Sequence, residues 1–381
     1  MFERLGMGKP AIASSFVLVP LLAICVVQRA LTQQQVSSIV PLSHGEVAQL
    51  QAQAQAGDPD AQLNLGRAYE DGNGLPQSDQ QAVKWYRVAA EQGNAIAQNN
   101  LGLMFRSGRG VEQNKQEAVR WYRKAARQKS PAAMFNLGAS YYNGDGVGID
   151  DTTAFAWFLL AQHLGNKPAT EAVNRMDEEA KRFQTGAFEK IGDMYQKGEE
   201  LPQSPSDAVI WYRQAAENGA PSVKVKLASL LLEGPGEPDY AEAHSLCEKA
   251  AKVQYPQGAY CVGLLYQKGL GVERNLSQAA KWFNEAASLG HVIAMLQLGQ
   301  MYYKGEGVKQ DRISAYEFAY LASQSSDLPQ ATQEKEQFEK EMTPKEMAKG
   351  KAKADDWIRS RYRHPVVLNR KVDQIEPKPI D

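Results

Sequence analysis

The sequence is poor in the residues that build most catalytic and metal sites. Its 381 residues include only three cysteines and five histidines. No two histidines stand at metal-ligand spacing and no cysteine cluster joins them, so we expect no metal centre. The chain also lacks a Gly-Lys-Ser phosphate loop and a nucleophile elbow, and its Gly-x-Gly strings recur as turns. We therefore predict no catalytic residues and no cofactor, and we interpret the protein as a non-enzyme.

Net charge is also nearly absent. Lysines and arginines number 43 against 44 acidic residues, and a formal net charge of −1 gives no general attraction to nucleic acid or to an anionic membrane. One local exception, residues 343–371, carries nine basic residues against three acidic ones. We interpret this segment as a solvated capping helix and tail. The alternative is a contact for acidic lipid or for an acidic partner.

Only one long apolar run occurs, and it lies at the N-terminus. Residues 11–27 contain 17 residues without a charge, after a segment with an arginine and a lysine. Residues 1–30 therefore predict a signal peptide or an N-terminal membrane anchor. An uncleaved anchor is favoured, because cleavage after Ala30 would place Gln28 where a small residue is preferred. We expect a cell-envelope protein, anchored in the inner membrane with its remainder in the periplasm, or secreted or periplasmic after signal cleavage.

What the sequence has in abundance is an internal repeat. A recurring pair of an aliphatic and a small residue marks each copy: Leu65-Gly66, Leu101-Gly102, Leu137-Gly138, Ile191-Gly192, Leu227-Ala228, Val262-Gly263 and Leu298-Gly299. The steps between copies are 36 or 35 residues, apart from one of 54. A tryptophan followed by an aromatic residue accompanies five copies: Trp85-Tyr86, Trp121-Tyr122, Trp157-Phe158, Trp211-Tyr212 and Trp282-Phe283. The sequence therefore predicts seven repeats.

Each repeat is predicted to form two helices. In the second repeat, the spacing of Leu101 and Phe105 gives a first helix with one apolar face. Gly102 lies on that face, where the missing side chain would let the partner helix approach closely. Glycines then end the first helix, and Asn114 with Glu117 forms the N-cap and capping-box pair of the second.

The repeat reads A-x-x-x-L-G-x-x-Y-x-x-G-x-G-V-x-x-[DN]-x-x-x-A-x-x-W-Y-x-x-A-A-x-x-G, which resembles the Sel1-like repeat family, related to the tetratricopeptide repeats. The resemblance implies an all-α fold, an α-solenoid of about seven helix-turn-helix repeats in a right-handed superhelix. It places repeats 1–3 in residues 58–166 and repeats 4–7 in residues 185–327. The fifth repeat departs most, since Ala228 replaces the glycine and Leu246-Cys247 replaces the Trp-aromatic pair.

Further segments flank or interrupt the repeats. Residues 31–57 are predicted to form a linker and an N-terminal capping helix, and residues 328–363 to form C-terminal capping helices. Residues 364–381, with three prolines, are expected to be a disordered tail. Residues 167–184 predict an inserted helix, because their apolar residues share one helical face: Val173, Met176, Ala180 and Phe183. This insertion is either a hinge or docking element or a spacer.

Cys247 and Cys261 are the two cysteines beyond the N-terminal run. They lie near the end of one repeat and on the first helix of the next, so a disulfide is one interpretation in an oxidising compartment. The resemblance bears on this pair, because some cysteine-rich secreted members of the family carry bridges at shorter spacing. The sequence favours the other interpretation, two small buried core residues.

The resemblance also implies where a partner would bind. First helices line the inner, concave face in this architecture, and we predict a groove there for a partner protein or an extended peptide. The predicted groove residues combine amides, cations and aromatic rings: Asn64, Arg67, Asn99, Asn100, Arg106, Phe135, Asn136, Tyr142, Lys190, Lys226, Gln297 and Tyr303. The sequence favours the competing interpretation, in which the asparagines are polar residues of a solvated face or bond the adjacent helix to hold the repeat geometry.

The predicted function is a non-catalytic scaffold or adaptor of the cell envelope. Its predicted partners are proteins or peptides, without nucleic acid, and the membrane is contacted through the N-terminal segment. One alternative is a secreted hydrolase or binder that acts on cell-wall or β-lactam substrates. Another is a structural spacer in an envelope or secretion assembly.

Overall fold

The computed structural model describes residues 41–175, 183–234, 236–325 and 328–363. These ranges contain eighteen α-helices and no strand. In chain order the helices are α1 (His44–Gln55), α2 (Pro59–Asp71), α3 (Asp79–Glu91), α4 (Ala95–Ser107), α5 (Lys115–Arg127), α6 (Pro131–Asn143), α7 (Asp151–His163), α8 (Lys167–Arg175), α9 (Gln184–Lys197), α10 (Pro205–Asn218), α11 (Pro221–Glu233), α12 (Tyr240–Lys252), α13 (Pro256–Lys268), α14 (Leu276–Ser288), α15 (Val292–Lys304), α16 (Arg312–Ser325), α17 (Pro329–Glu339) and α18 (Pro344–Arg363). The predicted all-α fold is confirmed.

The chain divides into two compact units, Met1–Met176 and Asp177–Asp381. The first unit holds three helix pairs, α2–α3, α4–α5 and α6–α7, preceded by α1 and followed by α8. The second holds four pairs, α9–α10, α11–α12, α13–α14 and α15–α16, followed by α17 and α18. Within each unit, every second helix packs both on its own first helix and on the helix that follows it.

Local sequence signals set the bounds of each pair, as the second repeat illustrates. The Asn94 side chain accepts a hydrogen bond from the Ala97 amide at 2.9 Å and begins α4, and Gly108 ends it with a φ of +71°. Asn114 accepts from the Glu117 amide at 2.9 Å and begins α5. The Glu117 carboxylate itself accepts from Arg120 at 3.1 Å. The predicted N-cap is therefore present.

The core between paired helices depends on one glycine and one aromatic ring in each of five repeats. A Cβ added to Gly102 would lie 2.5 Å from the ring of Tyr122, far inside van der Waals contact. Four further pairs show the same contact: Gly66 with Tyr86, Gly138 with Phe158, Gly192 with Tyr212 and Gly263 with Phe283. All five rings are fully buried. Glycine thus lets the aromatic ring fill the space against the first-helix backbone.

Successive repeats meet through the Gly-x-Gly loop. Gly110 has a φ of +66°, and a Cβ there would lie 2.3 Å from the carbonyl oxygen of Asp79 in the preceding repeat. Between the two glycines, Arg109 donates to the Asp79 carboxylate at 2.6 Å. In the next loop, Asp145 accepts from Lys115 at 2.7 Å. Each loop therefore packs closely against the preceding second helix and carries a charge opposite to that of the helix residue it contacts.

The predicted insertion begins with a helix, α8, that is similar to the first helix of a repeat. Asn166 accepts from the Ala169 amide at 2.9 Å, as Asn94 does in the second repeat, and α8 buries Ala169 and Ala172. Val173 is half-buried, whereas Asn174 is exposed. α8 therefore resembles the first helix of an incomplete repeat. The helix α8 ends at Arg175. Of the other predicted face residues, Met176 and Ala180 lie outside the described residues, and Phe183 is the N-cap of α9.

Helices also lie at both ends of the repeats. Ser43 and Glu46 form a capping box that begins α1. Thr343 and Glu346 exchange the same two hydrogen bonds at the start of α18. No helix within the described ranges is both long and apolar enough to cross a membrane. The predicted signal or anchor at 1–30 and the predicted tail at 364–381 lie outside those ranges.

Candidate functional site

One contact recurs where a second helix meets the first helix of the next repeat. It involves the aromatic residue that packs on the first-helix glycine and the residue 14 positions later in the sequence. That later residue lies on the first helix of the next repeat, two positions before its own glycine or alanine. In the first unit, the Asn100 side chain lies close enough to the Tyr86 hydroxyl to act on its pKa. In the second unit, the Lys226 ammonium lies 5.8 Å from the centroid of the Tyr212 ring.

Around Tyr86, this contact extends into a polar cluster. The Tyr86 hydroxyl donates to the Glu70 carboxylate at 2.6 Å, and Arg109 donates to the other Glu70 oxygen at 2.8 Å. Burial and the neighbouring Glu70 charge raise the pKa of Tyr86 far above its ordinary value. The hydroxyl therefore stays protonated and serves as a structural donor.

The predicted asparagine row is partly used between repeats. Asn136 Nδ2 donates to Asn99 Oδ1 at 2.8 Å, and both side chains are buried. Asn99 Nδ2 in turn reaches Asn100 Oδ1 at 3.4 Å. These amides join α4 to α6, which agrees with the interpretation that asparagines hold the repeat geometry. Only Asn64, the first member of the row, is exposed.

Lys226 is likewise engaged inside the protein. Its ammonium donates to Glu189 and to Asp193, each at 2.9 Å. Burial alone would lower the pKa of Lys226, but the hydrogen bonds that the ammonium donates to the two carboxylates outweigh burial, and the pKa is raised. The Tyr212 hydroxyl also donates to Asp193, at 2.5 Å. The sequence predicted that Lys226 would bind a carboxylate of the ligand. Its charge is instead neutralised by Glu189 and Asp193 of the protein itself.

Several other predicted groove residues lie elsewhere. Phe135 is 5% exposed, and its ring centroid lies 5.5 Å from that of Phe158, so its placement in the groove was wrong. It packs in the core because its position faces the second helix. Arg106 pairs with Asp145 at 3.3 Å. Tyr303 donates to Glu341 at 2.7 Å.

The remaining predicted residues are at least partly open. Tyr142 is 40% exposed, Lys190 is exposed, and Gln297 is half-buried with its Oε1 3.5 Å from the Gln267 amide. Asn64 and Arg67 are exposed on α2, where they line a cleft of about 430 Å³ against α1.

Two apolar side chains of α4 are exposed to solvent. Ile96 is 49% exposed and Leu103 is 40% exposed. They flank the half-buried Asn100 at helical spacings of four and three residues, so all three share one side of α4. Asn64 and Arg67 hold the positions on α2 that Asn100 and Leu103 hold on α4. We call these five residues the first-helix face.

Cys247 and Cys261 are joined by a disulfide that links α12 to α13 across Cα atoms 5.8 Å apart. The favoured interpretation, two separate core thiols, was therefore wrong, although Cys247 is fully buried. The separation of 14 residues matches that of Tyr86 and Asn100. This spacing was the sequence signal that could have found the pair. Among the described residues, no group of three or more His, Cys, Asp or Glu could hold a metal ion.

Helix pairs of one pattern, packed in series within each unit, define the class: this protein is an α-solenoid of short helical repeats. The Sel1 repeat pattern matches seven segments: 59–94, 95–130, 131–166, 189–219, 224–253, 256–291 and 292–327. The matches span more than half of the chain, and the protein belongs to the Sel1 repeat family. The predicted family and the count of seven repeats are confirmed.

Individual relatives share only part of this chain. It is 37% identical to chitin synthase regulatory factor 2 of Schizosaccharomyces pombe over 24% of its length and 18% of that protein. It is 28% identical to the ERAD-associated E3 ubiquitin-protein ligase component HRD3B of Arabidopsis thaliana, over 31% of this chain and 20% of that one. The chain thus spans a fifth or less of both relatives. A solved Sel1 repeat protein from Oxalobacter formigenes is 29% identical, with a TM-score of 0.38, over 77% of this chain and 80% of that chain.

Proposed function

We propose that the protein is a non-catalytic scaffold whose first-helix face holds an extended segment of a partner protein. The observation that carries the proposal is the exposure of Ile96 and Leu103 beside the amide of Asn100. About half of each of these aliphatic side chains is left open to solvent, and apolar groups flanked by polar ones are typical of interaction surfaces.

The chemistry of this face suits a peptide. Asn64 can both donate to and accept from a peptide backbone, because an amide carries both functions. The Arg67 guanidinium can bind a carboxylate of the partner with two parallel hydrogen bonds. Ile96 and Leu103 offer apolar contact seven residues apart on one helix, which suits side chains that point to one side of an extended segment.

Internal bonds narrow the face to the first two repeats. Three predicted groove residues already make contacts inside the protein, so they are poor candidates for ligand contact: Asn136, Phe135 and Lys226. Within the described ranges, Asn64 and Arg67 make no side-chain hydrogen bond or ion pair, although the charge of Arg67 acts on the nearby Asp71. The proposal is therefore confined to α2 and α4.

The names of two relatives are consistent with an adaptor role. One is a regulatory factor of chitin synthase and another is a component of a ubiquitin ligase, so both are named for acting alongside other proteins. For this chain we extend the proposal to the cell envelope, because residues 11–27 form an uncharged run after a basic segment. The repeats would then lie outside the cytoplasm.

Site-specific photo-crosslinking in the full chain tests the binding surface. A photoreactive amino acid at Leu103 should capture a partner protein in the source cell. The same group at Arg120 is the matched control, because Arg120 lies on the second helix of the same repeat with its side chain 74% exposed. Adducts confined to position 103 support the proposal. Equal adducts at both positions, or adducts at 120 alone, would place binding elsewhere.

A further inference from the structure

The disulfide occupies a position where other repeats use a non-covalent contact. Cys247 stands where Tyr86 and Tyr212 stand, and Cys261 stands where Asn100 and Lys226 stand. The separation is 14 residues in every case. The bond therefore replaces the contact between an aromatic residue and a polar one that ties one repeat to the next.

The joint between the fifth and sixth repeats also lacks a side-chain cap. Tyr255 precedes α13 and makes no side-chain cap hydrogen bond. Ser130 and Asn94 make that bond at the starts of α6 and α4. With no ring at position 247 and no cap at Tyr255, the disulfide is the covalent link between α12 and α13 at this joint.

The two sulfurs differ in access. Cys247 is 0% exposed, whereas Cys261 is half-buried on the same row of first-helix positions as Lys226 and Gln297. An incoming thiolate can therefore approach the sulfur of Cys261 more readily than that of Cys247. Attack at this sulfur releases Cys247 as the leaving thiolate.

We propose that Cys247–Cys261 is a reversible thiol–disulfide site that controls the rigidity of repeats five and six, with a protein dithiol as its reductant. One thiolate of the dithiol attacks Cys261 Sγ, forms a mixed disulfide and breaks the bond to Cys247. The second thiol of the reagent then displaces Cys261. The reagent leaves as a disulfide after giving up two electrons, and both cysteines end as protonated thiols. Reduction loosens α11–α14 and leaves the first unit unchanged.

Peptide-level hydrogen exchange of the full chain tests this site. Cys25→Ser removes the third cysteine, the protein is produced in an oxidising compartment, and exchange is compared with and without dithiothreitol. We expect exchange in residues 221–268 to accelerate at least about tenfold on reduction, with residues 59–143 unaffected. In a Cys247→Ala/Cys261→Ala control, dithiothreitol should change neither region.

Three outcomes would overturn the proposal. The first is exchange that stays unchanged although thiol titration shows two new thiols. The second is a bond that resists dithiothreitol in the folded protein. The third is a protein from the oxidising compartment that already carries two free thiols.

Discussion

Asn136 Nδ2 donates to Asn99 Oδ1 at 2.8 Å, in a bond buried between the first helices of two successive repeats. A buried amide that loses its partner keeps its desolvation cost, so the bond matters most when only one member is removed. The two asparagines come from different positions in their repeats. The contact therefore fixes how the third repeat sits on the second.

We predict that Asn136→Ala lowers the free energy of unfolding by about 1–3 kcal/mol, because it leaves Asn99 Oδ1 buried without its donor. Asn64→Ala is the matched control, since Asn64 holds the same repeat position but is exposed. It should change stability by less than about 0.5 kcal/mol. Urea unfolding monitored by circular dichroism measures both. Equal effects of the two substitutions would contradict the structural role.

Gly102→Ala should be destabilising by about 1–3 kcal/mol, because the new methyl group would overlap the Tyr122 ring. Gly45→Ala is the control, since Gly45 lies in α1 with no atom within 4 Å of an added Cβ. Alanine there should be neutral or slightly stabilising, because it has the higher helix propensity. A thermal melt of both variants decides, and a Gly102→Ala protein as stable as the parent would refute the close packing.

Trp121 is buried, with only 5% of its surface exposed. We expect Trp121→Ala to cost about 3–5 kcal/mol of local stability, through lost burial and the cavity left behind. Coupling in a solenoid runs between neighbours, so hydrogen exchange should rise most in residues 95–166. A uniform rise across both units would contradict this nearest-neighbour behaviour.

His291 predicts a specific dependence on pH. Its Nδ1 accepts from the Ala294 amide at 3.1 Å at the start of α15, and burial lowers its pKa from 6.5 to about 4. Between pH 6.5 and about 4, the His291 imidazole is protonated in the unfolded chain and neutral in the folded protein. Stability should therefore fall as pH drops from about 6.5 to 4, by about 3 kcal/mol in total.

The control for this effect is His291→Asn, because asparagine keeps the cap, as Asn94 does before α4, and removes the titrating group. Unfolding free energies at pH 7 and at pH 4.5 should differ less for the variant than for the parent. Identical pH slopes for the two proteins would assign the acid sensitivity to other groups.

Sequence reasoning placed the repeats well because their strongest signals are local. The glycine at the position of Gly102 and the tryptophan at the position of Trp121 recur at fixed spacing. Packing within a single helix pair explains why each of these residue types is needed. Phe135 was misplaced for the opposite reason, and the sequence left two roles open for Asn136. Whether a first-helix residue is open depends on the neighbouring repeat, and one helical period cannot show what that neighbour covers. The disulfide was within reach, since its spacing equals that of other contacting pairs along the chain.

The most direct test of the scaffold proposal is the affinity of the captured partner for a variant of the first-helix face. Asn64→Ala, Arg67→Ala and Leu103→Ala are combined in the full chain, and Kd is measured by calorimetry beside the melting temperature. We predict at least about tenfold weaker binding at an unchanged melting temperature, since these side chains are exposed and support no core. An unchanged Kd in a folded variant would contradict binding at the first-helix face.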